Sequence, residues 1–226
     1  MHAFQNNWLV KKMQERLISD DIFAGYNQTY ETIIEDLQNK HFSVVDHFFP
    51  SHLIISLQKE ILIKYQADDL KKAAIGNKTN EIIEKEIRGD FIQWINENNV
   101  NDIEKEYFDK INDFVTYLNR TCFMGILHKE FHYAVYPKGT FYQRHLDTFQ
   151  NDQRRKLSMV LYLNDENWTI DNGGELVIYT KENKAETIIP LPGRLVIFES
   201  QLLEHEVKPV LKNEKRLSIT GWLKTR

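Results

Sequence analysis

His145-Leu146-Asp147 sets an imidazole and a carboxylate on alternate residues, near the end of a segment that reads as a strand over 140–146. Residues i and i+2 of a strand project from the same face, so the two side chains can reach one ion. A third donor must come from elsewhere in the fold, and His205 lies on a later strand-like segment, 204–209. Two imidazoles and one carboxylate that leave coordination positions open form the donor set of non-haem Fe(II) centres that activate O2. The open positions matter because O2 and a chelating cosubstrate must both reach the metal. The triplet alone reads equally well as an ordinary strand histidine followed by a turn carboxylate, and His205 is one of eight histidines.

The segment downstream of His205 narrows the chemistry. In Lys215-Arg216-Leu217-Ser218-Ile219-Thr220-Gly221-Trp222 the residues alternate: Arg216, Ser218, Thr220 and Trp222 share one face, Leu217 and Ile219 the other. A polar face normally meets water. If the interior of the fold is instead a ligand pocket, that face points inward, and a guanidinium there is costly unless an anion meets it. A dicarboxylate fits, one end chelating the metal and the far carboxylate pairing with Arg216 in bidentate fashion. The alternative is an exposed arginine on an edge strand.

The elements that must position these groups can be read from periodicity. Apolar residues recur at helical spacing at Leu9, Met13 and Leu17, and again at Tyr30, Ile33, Ile34 and Leu37. Phe42-Ser43-Val44-Val45 is a short strand signal, and Ser51 is expected to cap a helix running to about Tyr65. Residues 67–85 are polar and hold a turn signal, Gly76-Asn77; Glu86 to Asn98 is expected to form a small hairpin or finger, and 101–120 a further helix. From Phe131 the period changes from 3.6 to 2. Strands are expected at 131–136, 140–146, 157–163, 175–179, 186–189, 194–198, 204–209 and 215–223, separated by Pro/Gly/Asn turns. This predicts one α+β domain over 1–226: a mainly helical support in 1–128, with the finger near 67–98, packed against a β-sandwich or barrel in 129–226.

Composition bounds the partners. Of the 226 residues 42% are hydrophobic and 12% aromatic, enough for a sizeable core and unlike a disordered chain. A net charge of −4 gives no basic face for nucleic acid, and Arg154-Arg155-Lys156 reads as local ion pairing. The single cysteine, Cys122, allows no intramolecular disulfide and reads as a small buried hydrophobe in a reducing compartment. The N-terminus lacks the pattern of a signal peptide, and no stretch approaches the roughly 18 apolar residues of a membrane span. The expected location is the cytoplasm, with no membrane partner.

Several short blocks occur in order: Tyr136-Pro137-Lys138-Gly139, Tyr142-Gln143-Arg144-His145-Leu146-Asp147, Leu161-Tyr162-Leu163-Asn164, Gly173-Gly174-Glu175-Leu176, His205-Glu206-Val207 and Arg216 to Trp222. In these the chain resembles the 2-oxoglutarate-dependent prolyl hydroxylases, in the branch similar to the hypoxia-inducible-factor prolyl hydroxylases and their bacterial relatives, over roughly residues 42–224. The resemblance implies a double-stranded β-helix (jelly-roll) core braced by N-terminal helices. It implies His145, Asp147 and His205 as iron ligands, and Arg216 as the partner of the far carboxylate of 2-oxoglutarate. Tyr162, otherwise a core aromatic, would donate its hydroxyl to that carboxylate. Thr220 and Trp222 would line the pocket, with Tyr136 close to the cosubstrate. The implied reaction consumes O2 and 2-oxoglutarate, releases succinate and CO2, and hydroxylates a prolyl residue of a protein or peptide, with ascorbate as reductant. Retention of Asp147 favours hydroxylation over halogenation.

Ile87-Arg88-Gly89-Asp90-Phe91-Ile92-Gln93-Trp94 resembles the mobile finger that covers the site and grips the peptide in this branch. There Arg88, Asp90 and Trp94 would act with Arg155, Asp90 pairing with Arg155; the alternative is a surface hairpin with a solvated charge pair. The chain departs from the animal enzymes in ending just after its last strand and in carrying about 40 further N-terminal residues of helical character. Two other functions share the same residues: hydroxylation of a free amino acid or other small molecule, and a non-catalytic β-helix domain that binds or senses.

Overall fold

The computed structural model describes residues 27–73, 88–148, 154–182 and 184–226. The apolar stripe of Leu9, Met13 and Leu17 and the Gly76-Asn77 turn lie outside the described residues.

Three helices form where the 3.6 period predicts them. Helix α1 (Gln28–Lys40) starts at Asn27, whose side chain accepts from the Tyr30 amide, and buries Tyr30, Ile33, Ile34 and Leu37 on one face. Helix α2 (Ser51–Gln66) buries Leu53, Ile54, Leu57 and Ile61. Its cap corrects the expectation: Pro50, not Ser51, is the boundary residue, and its carbonyl accepts from the Leu53 and Ile54 amides. Helix α3 (Asp102–Cys122) opens on a reciprocal capping box between Asn101 and Glu104 and buries Tyr107, Phe108, Ile111, Phe114 and Leu118. Cys122, at its end, is half-buried against the helix-side core rather than enclosed. Among the described residues no helix is long and apolar enough to cross a membrane.

Eleven strands follow in chain order: β1 (Phe42–Val45), β2 (Lys71–Lys72), β3 (Phe91–Ile95), β4 (His128–Tyr136), β5 (Tyr142–His145), β6 (Arg155–Tyr162), β7 (Leu176–Tyr179), β8 (Ala185–Ile188), β9 (Leu195–Glu199), β10 (Glu204–Val207) and β11 (Arg216–Lys224). Among the described residues they form two antiparallel sheets. The major sheet runs β1-β9-β6-β11-β4-β3-β2 and the minor sheet β5-β10-β7-β8. All eight strands expected after residue 128 are present, with ends shifted by a few residues. The result is an α+β jelly roll, a double-stranded β-helix braced by helices.

Two cores hold it together. One lies between the helices and the outer face of the major sheet and contains Tyr30, Leu57, Phe114, Phe131, Leu161 and Ile219. The other lies between the sheets and contains Tyr136, Val160, Tyr162, Ile178, Phe198 and Val207. Strand β11 serves both: Leu217, Ile219 and Leu223 face the helices, so its other face, with Arg216, Ser218 and Trp222, is buried between the sheets. The helices thus explain why the polar face of this strand points inward.

The segment expected as a finger is built differently where it is described. Phe91–Ile95 is a strand of the major sheet, paired with β4 along its length and with β2. The alternation of Phe91 and Ile95 against Ile92 and Trp94 suits a sheet position with one face on the helix-side core.

Candidate active site

Strands β5 and β10 are neighbours, and His145 and His205 are direct partners in register. Asp147 follows β5 by two residues and returns to the same point. Its Oδ1 lies 3.5 Å from His145 Nε2 and its Oδ2 3.5 Å from His205 Nε2. The three donor atoms lie within 4.8 Å of one another. The backbone orients both rings. His145 Nδ1 lies 2.7 Å from the Gln143 carbonyl and His205 Nδ1 3.3 Å from the Leu203 carbonyl. Carbonyls only accept, so each Nδ1 donates and each Nε2 presents its lone pair toward Asp147, the outer-shell arrangement of ligating histidines. Burial pushes the His205 imidazole down to about 4, which keeps it neutral at physiological pH.

Asp147 is buried, which by itself raises a carboxyl pKa; His205, His145 and a hydrogen bond from Ser158 overcome this and hold it well below the usual range. The Ser158 hydroxyl donates to Asp147 Oδ2 at 2.7 Å and lies 2.8 Å from the Ser200 hydroxyl. A carboxylate held ionised and two imidazoles, all converging, fit a divalent first-row metal.

Arg216 begins β11 on the inner face and is only 2% exposed. Its Nε donates to the Gly174 carbonyl at 2.8 Å and one terminal nitrogen reaches Ser218 Oγ at 3.3 Å, which in turn lies 3.3 Å from Thr220 Oγ1. It has no carboxylate partner among the described residues. The guanidinium carbon lies 4.8 Å from the ring of Tyr136 and 4.9 Å from that of Tyr162. The Tyr162 hydroxyl is buried and has no hydrogen-bond partner among the described residues. Burial keeps this phenol protonated, Arg216 only partly opposing it, so it is a donor awaiting an acceptor. An unpaired buried cation beside an orphaned hydroxyl is expensive, and the carboxylate of a ligand would satisfy both. Gly174 makes room: a Cβ there would lie 3.1 Å from Arg216 Cδ.

The remaining expected residues also gather here. Arg88 makes two hydrogen bonds to Asp90, at 2.8 and 2.6 Å, and lies 4.4 Å over the Tyr142 ring, which stacks on His145 at 3.7 Å. Arg155 pairs with Glu130 at 3.0 Å, donates to the Asp147 carbonyl at 3.3 Å and lies 3.6 Å over Trp222. The ion pairs therefore differ from the expected one: Asp90 is held by Arg88, and Arg155 by Glu130. Trp94 lies 6.2 Å from Trp222. Sequence reasoning missed Ser158, Ser200, Tyr142 and Glu130 as parts of the site. Ser158 carried a signal, since it falls on the same face of β6 as Val160 and Tyr162.

The chain is similar to known proteins. The family model of the 2OG-Fe(II) oxygenase superfamily matches residues 131–224, from β4 to the end of β11. A prolyl-4-hydroxylase from Pseudomonas putida is 34% identical with a TM-score of 0.77, the match covering 87% of this chain and 99% of that one. A prolyl hydroxylase from Trichoplax adhaerens, solved in complex with a hypoxia inducible factor oxygen degradation domain peptide fragment, is 28% identical with a TM-score of 0.79, over 87% and 89% of the two chains. A prolyl 4-hydroxylase from Phytophthora capsici, at 18% identity and a TM-score of 0.65 over 88% of this chain and 66% of that one, shares the fold. With a convergent His-Asp-His set on the facing strands of the same jelly roll, the chain belongs to the 2OG-Fe(II) oxygenase superfamily, in its prolyl 4-hydroxylase branch, and is a 2-oxoglutarate-dependent dioxygenase that uses Fe(II).

Proposed function

We propose that this dioxygenase hydroxylates a prolyl residue within a peptide segment of a protein partner. The observation that carries the cosubstrate half is Arg216, buried and without a counter-ion among the described residues, beside the unpartnered Tyr162 hydroxyl and on the sheet opposite the one that carries His145 and His205. Support for the prolyl half comes from the identity to the Pseudomonas enzyme and the likeness to the peptide-bound Trichoplax enzyme.

In this reading His145, Asp147 and His205 hold Fe(II), and Arg216 and Tyr162 hold the far carboxylate of 2-oxoglutarate. When bound, the metal and cosubstrate supply the oxidative chemistry, decarboxylation to succinate and CO2 coupled to hydroxylation of a C–H bond by O2. The protein supplies geometry. The Gln143 and Leu203 carbonyls fix the two imidazoles, and Ser158 fixes Asp147. Tyr136 forms a wall beside the cosubstrate, Thr220 and Trp222 line the space beside it, and the two sheets keep water out. Arg88, Asp90, Trp94 and Arg155 form the rim that receives the peptide. The unit acts as one catalytic domain, with ascorbate as reductant and, given its single cysteine, in the cytoplasm.

The test is mass spectrometry of cellular proteins incubated with and without the iron-loaded enzyme. Gain of one oxygen atom at a proline, dependent on 2-oxoglutarate, is expected. Succinate release stimulated by free amino acids and never by peptides or proteins would overturn the reading in favour of a small-molecule hydroxylase.

A further inference from the structure

His132 is a buried ionisable side chain that neither the iron centre nor the cosubstrate pocket uses. It lies on β4, in register with Trp94 of β3 on one side and with Thr220 of β11 on the other. Its ring meets that of Trp94 edge-on at 5.0 Å and that of Trp222 at 5.7 Å. Nδ1 lies 3.0 Å from the Tyr133 carbonyl, which can only accept, so Nδ1 carries the proton. Nε2 is then a bare acceptor, without a partner among the described residues. Burial pushes the imidazole down to about 4, with Arg88 and Arg155 acting in the same direction and the Tyr133 carbonyl and Asp90 opposing. At neutral pH the ring is uncharged.

Its complement stands beside it. The indole N–H of Trp222 is buried and has no acceptor among the described residues. Trp222 is the register partner of Ser158, the residue that holds Asp147, so the pair adjoins the iron end of the cavity. Trp94 packs on both rings and is itself 52% exposed, which puts it at the rim as a cover. A buried donor left unpaired is destabilising, and native proteins retain such a group where a ligand or water completes it. The backbone of one extended peptide residue can meet both groups at once, because its own C=O accepts and its own N–H donates on the same side of the chain.

We propose that His132 Nε2 and Trp222 Nε1 form an acceptor–donor pair that binds the backbone N–H and C=O of one residue flanking the reacting proline, which makes His132 a determinant of specificity for proline within a peptide. The inference rests on the reading of the chain as a peptide prolyl hydroxylase. The bound segment displaces the Trp94 indole and takes its place over the two rings. A substrate without that flanking residue leaves both groups unpaired, and polar sites reject such analogues far more strongly than apolar ones do.

The experiment uses the full chain loaded with Fe(II), with a capped peptide library of the form acetyl-Xaa3-Pro-Xaa3-amide and, separately, free L-proline. Products are read by mass spectrometry and the KM for 2-oxoglutarate is measured in parallel. His132→Phe and Trp222→Phe are each expected to raise the peptide KM about 10-fold, as loss of one hydrogen bond does, with a smaller change in kcat; for His132→Phe the KM for 2-oxoglutarate is expected to stay the same. His132→Gln, which keeps an acceptor, is expected to recover most of the loss. The double variant is expected to be no worse than the poorer single one, because the backbone of one residue uses both groups. The inference is overturned if His132→Phe keeps the wild-type peptide KM, if His132→Gln is as poor as His132→Phe, or if in His132→Phe the KM for 2-oxoglutarate rises together with that for peptide. Conversion of the library with an unaltered His132→Phe variant removes this inference alone. Conversion of free L-proline but not of the library, or of neither, removes the peptide reading and this inference with it.

Discussion

His145 and His205 face each other directly across β5 and β10, their rings 4.3 Å apart between centroids. Metal affinity here is therefore a property of strand pairing: the ladder that fixes the register also fixes the distance between two donors. Asp147 is different. It follows the strand, and its position depends on the hydroxyl of Ser158 on the opposite sheet.

Ser158→Ala should therefore loosen the site while leaving its three donors in place. Outer-shell partners of metal ligands typically contribute about 10–100-fold in affinity. A weakening of Fe(II) or Mn(II) binding by about 10-fold is expected in a metal titration, with folding intact by circular dichroism. Unchanged affinity would show that Asp147 does not need this bond.

Arg216→Met removes a buried charge that the protein leaves unpaired until its ligand arrives. Replacing buried ionic groups with apolar residues of similar volume is often neutral or stabilising by about 1–4 kcal/mol. The variant is expected to melt at or above the wild-type temperature and to lose turnover. Added 2-oxoglutarate should raise the melting temperature of the metal-loaded wild type and leave that of the variant where it was.

Gly174→Ala should act on the same residue from the other side. Gly174 has φ +73°, and its missing Cβ leaves space 3.1 Å from Arg216 Cδ. An alanine is strained in that conformation, at a cost of about 1–3 kcal/mol, and pushes the guanidinium off its mark. A raised KM for 2-oxoglutarate with unaltered metal binding is expected from steady-state kinetics and metal titration.

Acid should destabilise the metal-free protein in a window set by its buried histidines. His132 titrates near 6.5 when unfolded and about 4 when folded, burial being the main cause. Between those values the unfolded chain binds a proton that the folded one does not, so stability is lost as pH falls from about 6.5 to about 4 and is flat above. His205 acts in the same direction. His132→Phe should remove one share of this slope, on the order of 3 kcal/mol at most. Urea unfolding at pH 7 and pH 5 measures it; identical slopes for the two proteins would contradict the assignment.

The strands after residue 128 were legible because each alternates and is bounded by turn residues, and the candidate iron and cosubstrate groups because they sit on or just beyond such strands. Arg216 was legible as a pocket residue only on the condition that the polar face of β11 points inward, and the helices packed on Leu217 and Ile219 meet that condition. Phe91–Ile95 has the same alternation in a free hairpin as in a sheet, and its partner β4 is remote in sequence, so its place in the major sheet was not legible; residues 74–87 of the expected finger lie outside the described residues. The Asp90–Arg155 pair failed for a local reason: Arg88, two residues away, reaches Asp90 first. Ser158 and Ser200 carry no charge and occur in apolar surroundings, so only the meeting of β6 with the end of β9 reveals what they support.

In the proposed reading the two ends of the cosubstrate are held by different layers. The imidazoles of His145 and His205 belong to the minor sheet and the Arg216 guanidinium to the major one, so the sandwich is a caliper whose jaws are set by the thickness of its filling. Tyr162, Val160 and Phe198 are among the residues that set that gap. A dicarboxylate one carbon shorter or longer than 2-oxoglutarate would span the wrong distance, although its charged ends are the same. Discrimination among keto acids is then encoded in side chains that touch neither carboxylate, and a change of cosubstrate would begin by repacking them.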